Sequence, residues 1–256
     1  MFGTNDDVIL DESNLKSYYS KTFFWMFLGL LATGIVAFVT YQTGALITIL
    51  SNPAFYVGLV IAELAVVIVF GLFFRKCSAS TVTLLFFIYA ILNGITLASI
   101  FYVYDLGSIS LIFCVSALLF GACAYLGAKS NVDFSKFSTW FFAILIGGLI
   151  LSLLNVLIFK STIVNIAIDW VMLILFFGIT AYDMNIAKRA FLSNVEQPEK
   201  IQVYAAMQIY LDFINIFLRL LSLFGKNKDI NNKNNNKKIW SFVLHIFLFI
   251  FLYLID

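Results

Sequence analysis

The chain reads as long apolar runs broken by short polar turns, not as the period-2 alternation of strands or the narrow apolar stripe of a soluble helix. Seven runs, at 22–42, 53–74, 81–104, 107–127, 138–159, 163–182 and 201–224, reach the roughly 20 residues that a bilayer-spanning helix needs. Turns as short as 105–106 and 160–162 make successive helices antiparallel neighbours. A membrane β-barrel would alternate between lipid-facing and lumen-facing residues, and runs such as Leu84-Leu85-Phe86-Phe87-Ile88 do not. The expected fold is an all-α integral membrane protein, a seven-helix transmembrane bundle with the seventh helix central. Residues 1–21 form a polar N-terminal tail and 22–225 the membrane domain. Residues 226–238 hold six asparagines and five lysines and read as a solvated linker. The last segment, 239–256, carries a further apolar run at 239–255, either an extra C-terminal helix, an interfacial segment or an extension without a role.

Composition fits a bilayer and excludes a water-soluble globule: 62% of the 256 residues are hydrophobic and 12% charged, and mean hydropathy is +0.99. A net charge of +2 with scattered lysines is not a nucleic-acid surface, so no nucleic-acid partner is expected. Cys77, Cys114 and Cys123 have no metal-binding or paired spacing and read as reduced packing residues. Asp6, Asp7, Asp11 and Glu12 give the start the wrong sign for a secretory leader, so the first run is expected to be retained. Lysines and arginines fall in the N-terminal tail (Lys16, Lys21) and after the second, fourth and sixth runs (Arg75, Lys76; Lys129, Lys136; Lys188, Arg189, Lys200), which puts the N-terminus in the cytoplasm. A full crossing by the seventh run would place the lysines of 226–238 outside. Either that run re-enters or the rule is overridden there.

Charge persisting inside a membrane segment costs about 2.5 to 3.5 kcal/mol at mid-helix, which makes each such residue a functional candidate. In the seventh run Gln208, Asp212, Asn215, Arg219 and Ser222 follow one another at helical offsets and draw one polar stripe. Asp183 lies just past the sixth run, where it is either a solvated helix-end carboxylate near Lys188 or a partner of Asp212. Two carboxylates in one dry site cannot both ionise cheaply, so one would hold a proton. Glu63 sits in the second run among apolar neighbours, either as a neutral packing carboxyl or on an ion pathway. Tyr89, Asn93, Thr96 and Ser99 make a milder polar face suited to interhelical hydrogen bonds. Asp169 is expected at the outer interface, either as a solvated acid or as an ion-entry acid. His245 is a lone histidine with no assigned role. No GxSxG, HExxH or Walker pattern is present, and the Leu-Asp-Phe around Asp212 lacks the Gly-x-Gly-Asp of intramembrane aspartyl proteases, so no enzyme activity and no cofactor are expected.

Ala181-Tyr182-Asp183-Met184-Asn185-Ile186-Ala187-Lys188 and Ile209-Tyr210-Leu211-Asp212-Phe213-Ile214-Asn215-Ile216-Phe217-Leu218-Arg219-Leu220-Leu221 resemble two signatures of the Bax inhibitor-1 (transmembrane Bax inhibitor motif) family. Leu85 to Ile100, Phe120-Gly121-Ala122 and Ala62-Glu63-Leu64 extend the resemblance across about 14–225. It implies a seven-helix protein of a bacterial plasma (inner) membrane that leaks Ca2+ passively in a proton-sensitive way. Asp183 and Asp212 would be the pH-sensing dyad and Glu63 would lie on the Ca2+ path, with Asn93, Gln208 and Asn215 as further pathway candidates. The arginine that partners the dyad in some members falls one residue off, at Arg75 with Phe74 in its place, so Arg75 or Arg219 would take that part. A role as a non-conducting partner of a membrane protease or other membrane complex is the rival implication.

Overall fold

The structure is a computed structural model that describes residues 5–74, 76–132, 134–193 and 198–228. Arg75, His245 and the expected segment at 239–256 lie outside the described residues, as does most of the 226–238 linker. Within them the chain forms α1 (Asn5–Gln42), α2 (Ala45–Ser51), α3 (Pro53–Phe73), α4 (Ala79–Leu97), α5 (Ile100–Val103), α6 (Leu106–Lys129), α7 (Ser138–Leu154), α8 (Thr162–Ser193) and α9 (Pro198–Phe224). Six of the described helical stretches are long and apolar enough to cross a bilayer. The second predicted run is also helical, as the 21-residue α3 with Glu63 inside it, but it is not among those six, so a seventh crossing rests on its length alone.

Local chemistry sets the boundaries. Asn52, Ser78 and Asp105 accept hydrogen bonds from the backbone of Ala54, Thr81 and Ser108 and so start α3, α4 and α6. Pro53 stands at the first position of α3, and α9 opens with Pro198 and Glu199, where a missing N–H and a negative charge suit a helix start. After α7 one π turn, Asn155–Phe159, ends at Lys160 with φ 51°. Asn155 stitches that corner by accepting from Ser161 N (3.0 Å) and donating to Ser161 O (3.0 Å).

Three elements depart from the hydrophobic runs. The α1 helix starts at Asn5, so most of the polar tail is helical; Tyr18, buried against Phe191, Ala187 and Ala205, ties that extension to α8 and α9. The 81–104 run is interrupted at 98–99, where α4 gives way to α5. Helix α8 continues past residue 182 to Ser193 because Asn185 and Arg189 on its last turns reach the end of α6. Asn185 Nδ2 donates to Ser130 O (3.2 Å), and Arg189 donates to Asn185 Oδ1 (3.0 Å) and Val132 O (3.4 Å).

Helix α9 is the axis of the bundle. It packs against α1, α4, α6 and α8, and every residue from 209 to 221 is buried. Large apolar side chains such as Phe27, Leu118, Trp140, Leu157 and Ile174 face outward from the surrounding helices, a surface suited to lipid and not to water. Helix α9 traverses the bundle from end to end. Its last turn meets the start of α6: Lys226 N donates to Ser108 Oγ (2.9 Å), Asp105 N to Lys226 O (2.9 Å), and Tyr104 pairs with Asn227 in an antiparallel bridge. Re-entry and return of the seventh run is therefore excluded. Lys226 and Lys228 lie at the opposite end from Lys129 and Lys200.

Candidate functional site

Two polar groups lie on opposite sides of α9. Each helical residue turns about 100°, so Tyr210 and Asp212 point about 200° apart. One faces α1, α3 and α4; the other faces α6 and α8.

On the first side, Asn93 Nδ2 donates to the Tyr210 hydroxyl (2.8 Å), which lies 2.8 Å from Thr33 Oγ1, and Thr33 donates to Ala90 O (2.9 Å). Because Thr33 uses its own proton on Ala90, Tyr210 is the donor to Thr33, and the bonds run in one direction from α4 through α9 to α1. Gly94 makes this approach possible: a Cβ there would lie 2.8 Å from Thr33 O and from Val36. Glu63 is buried on α3 beside the Thr96 hydroxyl, with Tyr89 and Tyr210 the other ionisable groups near it. The Glu63 Oε1, Tyr89 hydroxyl and Asn93 Oδ1 atoms make no hydrogen bond among the described residues. Glu63 and Asn93 are thus joined through Thr96 and Tyr210, as the polar face read from α4 suggests. The structure does not join them to Asp183 and Asp212.

On the second side, Asp183 of α8 and Asp212 of α9 meet. Both are buried, at 3% and 2% exposure, and their carboxyl groups hydrogen-bond each other, with the Thr180 hydroxyl against Asp212. An ionised carboxylate has no proton to donate, so a hydrogen bond between two carboxyls requires one shared proton. Asp183 is therefore not a solvated helix-end group, because α8 continues ten residues beyond it, to Ser193. The pair sits beside a close approach of α6 to α8: a Cβ on Gly127 would lie 2.2 Å from Ala181 O. Cys123 of α6 lies near Asp212, and Tyr182, the residue before Asp183, packs its ring edge-on against Phe141 of α7. One oxygen of each acid, Asp183 Oδ1 and Asp212 Oδ2, has no partner among the described residues.

The other stripe residues spread along α9. Gln208 is half-buried, and Asn215 is fully buried, donating from Nδ2 to Leu211 O (2.9 Å). Arg219 is ion-paired with Asp169 of α8, about 10.5 Å along the helix from Asp212 at 1.5 Å per residue. Asp169 is not a solvated interface acid, one of the two readings of its place in the run. It is 6% exposed and also accepts from Ser222 Oγ (2.5 Å). The signal for this contact was present in the charges: Arg219 is one of few cations inside an apolar run and requires an anion within reach.

Tyr210, Thr33 and Thr180 belong to these groups, yet the polar stripe did not single them out. A hydroxyl inside an apolar run satisfies its own preceding turn as readily as a neighbouring helix, as Thr180 does by donating to Phe176 O (2.8 Å).

The sequence matches the family model described as inhibitor of apoptosis-promoting Bax1 over residues 15–229. It is 37% identical over 232 residues to inner membrane protein YbhL of Escherichia coli (strain K12), an alignment covering 89% of this chain and 99% of that protein. A protein of Deinococcus radiodurans is 34% identical over 218 residues, covering 84% of this chain and 92% of its own length. One of Borreliella burgdorferi is 32% identical over 218 residues, covering 84% and 94%. A helical membrane protein whose matched residues include both acids and the whole central helix, this chain belongs to the Bax inhibitor-1 family.

Proposed function

We propose that the protein is a pH-sensitive passive Ca2+ leak channel of the bacterial inner membrane, gated by Asp183 and Asp212. The observation that carries this reading is the pair itself: two buried acids on adjacent helices sharing a hydrogen bond inside an apolar bundle. With one proton shared, the carboxyls hold α8 to α9. When that proton leaves, two negative charges face each other in a dry site and push the helices apart. Parting therefore increases as pH rises through the titration of the pair. In this reading α3 is the seventh crossing, the N-terminus is cytoplasmic, and Lys226 and Lys228 are an outer exception to the positive-inside pattern.

Glu63, Asn93, Gln208 and Asn215 supply oxygen atoms of the hard kind that Ca2+ prefers. Ca2+ takes six to eight oxygen ligands at a tight site, and so few protein oxygens hold it weakly enough to pass. Ca2+ and H+ are then the ligands of the protein, as transported ion and gating ion, with no cofactor.

The bundle is closed around α9, which suits a resting channel and equally a non-conducting regulator of a membrane protease. Reconstitution into liposomes loaded with a Ca2+ dye separates the two. Influx that follows the Ca2+ gradient without an energy source and changes with pH supports the channel. An absence of influx, with a membrane protease co-purifying from native membranes, supports the regulator.

A further inference from the structure

The contact between α8 and α9 is made twice, by different chemistry. Besides the shared-proton pair there is the Asp169–Arg219 ion pair, with Ser222 donating to the same carboxylate. Both ionic side chains are buried, and each comes from a different helix. A guanidinium keeps its charge across the physiological range, so this contact offers no proton switch. Tyr104, at the corner between α5 and α6, is the other ionisable group near Asp169.

The surroundings of the ion pair are stitched together. Residues 225–228 fold back across the corner between α5 and α6: Lys228 N donates to Val103 O (2.9 Å) and Lys226 N to Ser108 Oγ (2.9 Å). Lys228 Nζ donates to Phe101 O (2.7 Å) and to the Tyr41 hydroxyl (3.3 Å), and lies over the Tyr41 ring. Tyr102 in turn donates to Tyr41 O (3.2 Å). Gly225 lies against Tyr104, whose ring a Cβ would meet at 2.7 Å. The ends of α1, α5 and α9 and the start of α6 are thereby fastened into one unit, and Asp169–Arg219 fastens the start of α8 to it.

We propose that Asp169, Arg219 and Ser222 form a fixed charge clamp, the pivot about which α8 and α9 part when the Asp183–Asp212 pair loses its proton. The clamp stands on the ion pair alone; the pivoting rests on the gating role given above to the two acids. The helices then open at one end only, at the dyad, while the end beside α6's first turn stays closed.

Distances between spin labels on the full chain in lipid nanodiscs test this, in a background with Cys77, Cys114 and Cys123 replaced by alanine. Labels at Ile166→Cys and Phe224→Cys report the clamp end, since both positions are exposed and Phe224 contacts Trp170 of α8. Labels at Leu192→Cys and Ile201→Cys report the other end. We expect a narrow 166–224 distribution that does not move with pH, and a 192–201 distribution that shifts to longer distance as pH is raised. Arg219→Gln and Asp169→Asn should each widen and lengthen the 166–224 distribution, and the reversed pair Asp169→Arg with Arg219→Asp should narrow it again. Single variants that stay as narrow as the parent overturn the clamp, as does a reversed pair that stays as wide as the singles. Where a single variant does not fold, the reversed pair decides: a folded, narrow protein supports the clamp and a wide or unfolded one overturns it. A 192–201 distance unmoved by pH, with 166–224 still responding to Arg219→Gln, would remove the gating role and leave the clamp standing.

Discussion

The Asp169 and Asp183 ends of the α8–α9 interface each hold a buried aspartate, yet they are built for opposite purposes. Asp169 meets a guanidinium and a serine hydroxyl, so its charge is matched. Asp183 meets a second acid, so its charge is matched only while a proton is present. Fourteen residues separate the two along α8, about 21 Å at 1.5 Å per residue. A buried acid is thus not a single kind of object: its partner decides whether it is an anchor or a titratable joint.

The largest effect expected from breaking this contrast is at the anchor. Arg219→Ala leaves Asp169 buried without its countercharge and should cost about 3–5 kcal/mol in detergent unfolding experiments. Asp169→Leu combined with Arg219→Met should recover most of that loss, because a well-packed apolar pair removes the desolvation cost of both charges. Next is the helix contact beside the joint. Gly127→Ala places a methyl 2.2 Å from Ala181 O and should cost about 1–3 kcal/mol by overpacking, while shifting the pH response of the neighbouring acids. Tyr210→Phe is smaller. It removes the link between Asn93 and Thr33 and should cost about 0.6 kcal/mol, in the range of membrane interhelical hydrogen bonds. Lying on the far side of α9, Tyr210→Phe should leave any pH profile of flux in place, so a lost profile would show that the two polar groups communicate.

The hydrophobic runs made the helices legible, because a bilayer demands about 20 apolar residues and lets nothing else cross. They could not fix where α8 ends. Asp183, Asn185 and Lys188 look like the polar end of a crossing, whereas the helix continues because Asn185 is held by the carbonyl of Ser130. The start of α1 was hidden for the same reason: Tyr18 and Thr22 are buried by tertiary contacts that hydropathy does not report. The residues themselves leave the pairing of Asp183 with Asp212 as one of two readings, since spacing alone does not say which helices touch, and only the resemblance to the family signatures favours it. Asp169 with Arg219 was legible only as a charge that needs a partner. In two antiparallel neighbours the residue numbers of facing positions sum to a nearly constant value, but 183 with 212 gives 395 and 169 with 219 gives 388, a mismatch of about 10.5 Å at 1.5 Å per residue. Register counted from the first pair therefore does not point to the second. Glu63 was legible as a buried acid, but its neighbours on α4 and α9 depend on the close approach that Gly94 permits.

The most direct test of gating by the acid pair is Ca2+ influx into dye-loaded liposomes, followed across pH for the parent and for Asp212→Asn. An asparagine amide can still donate to Asp183, so the folded protein should survive with stability changed by less than about 1 kcal/mol. We expect the parent to give a pH-dependent flux and Asp212→Asn a flux that no longer varies with pH. An Asp212→Asn protein that keeps both the parent's flux and its pH profile would contradict gating by the pair.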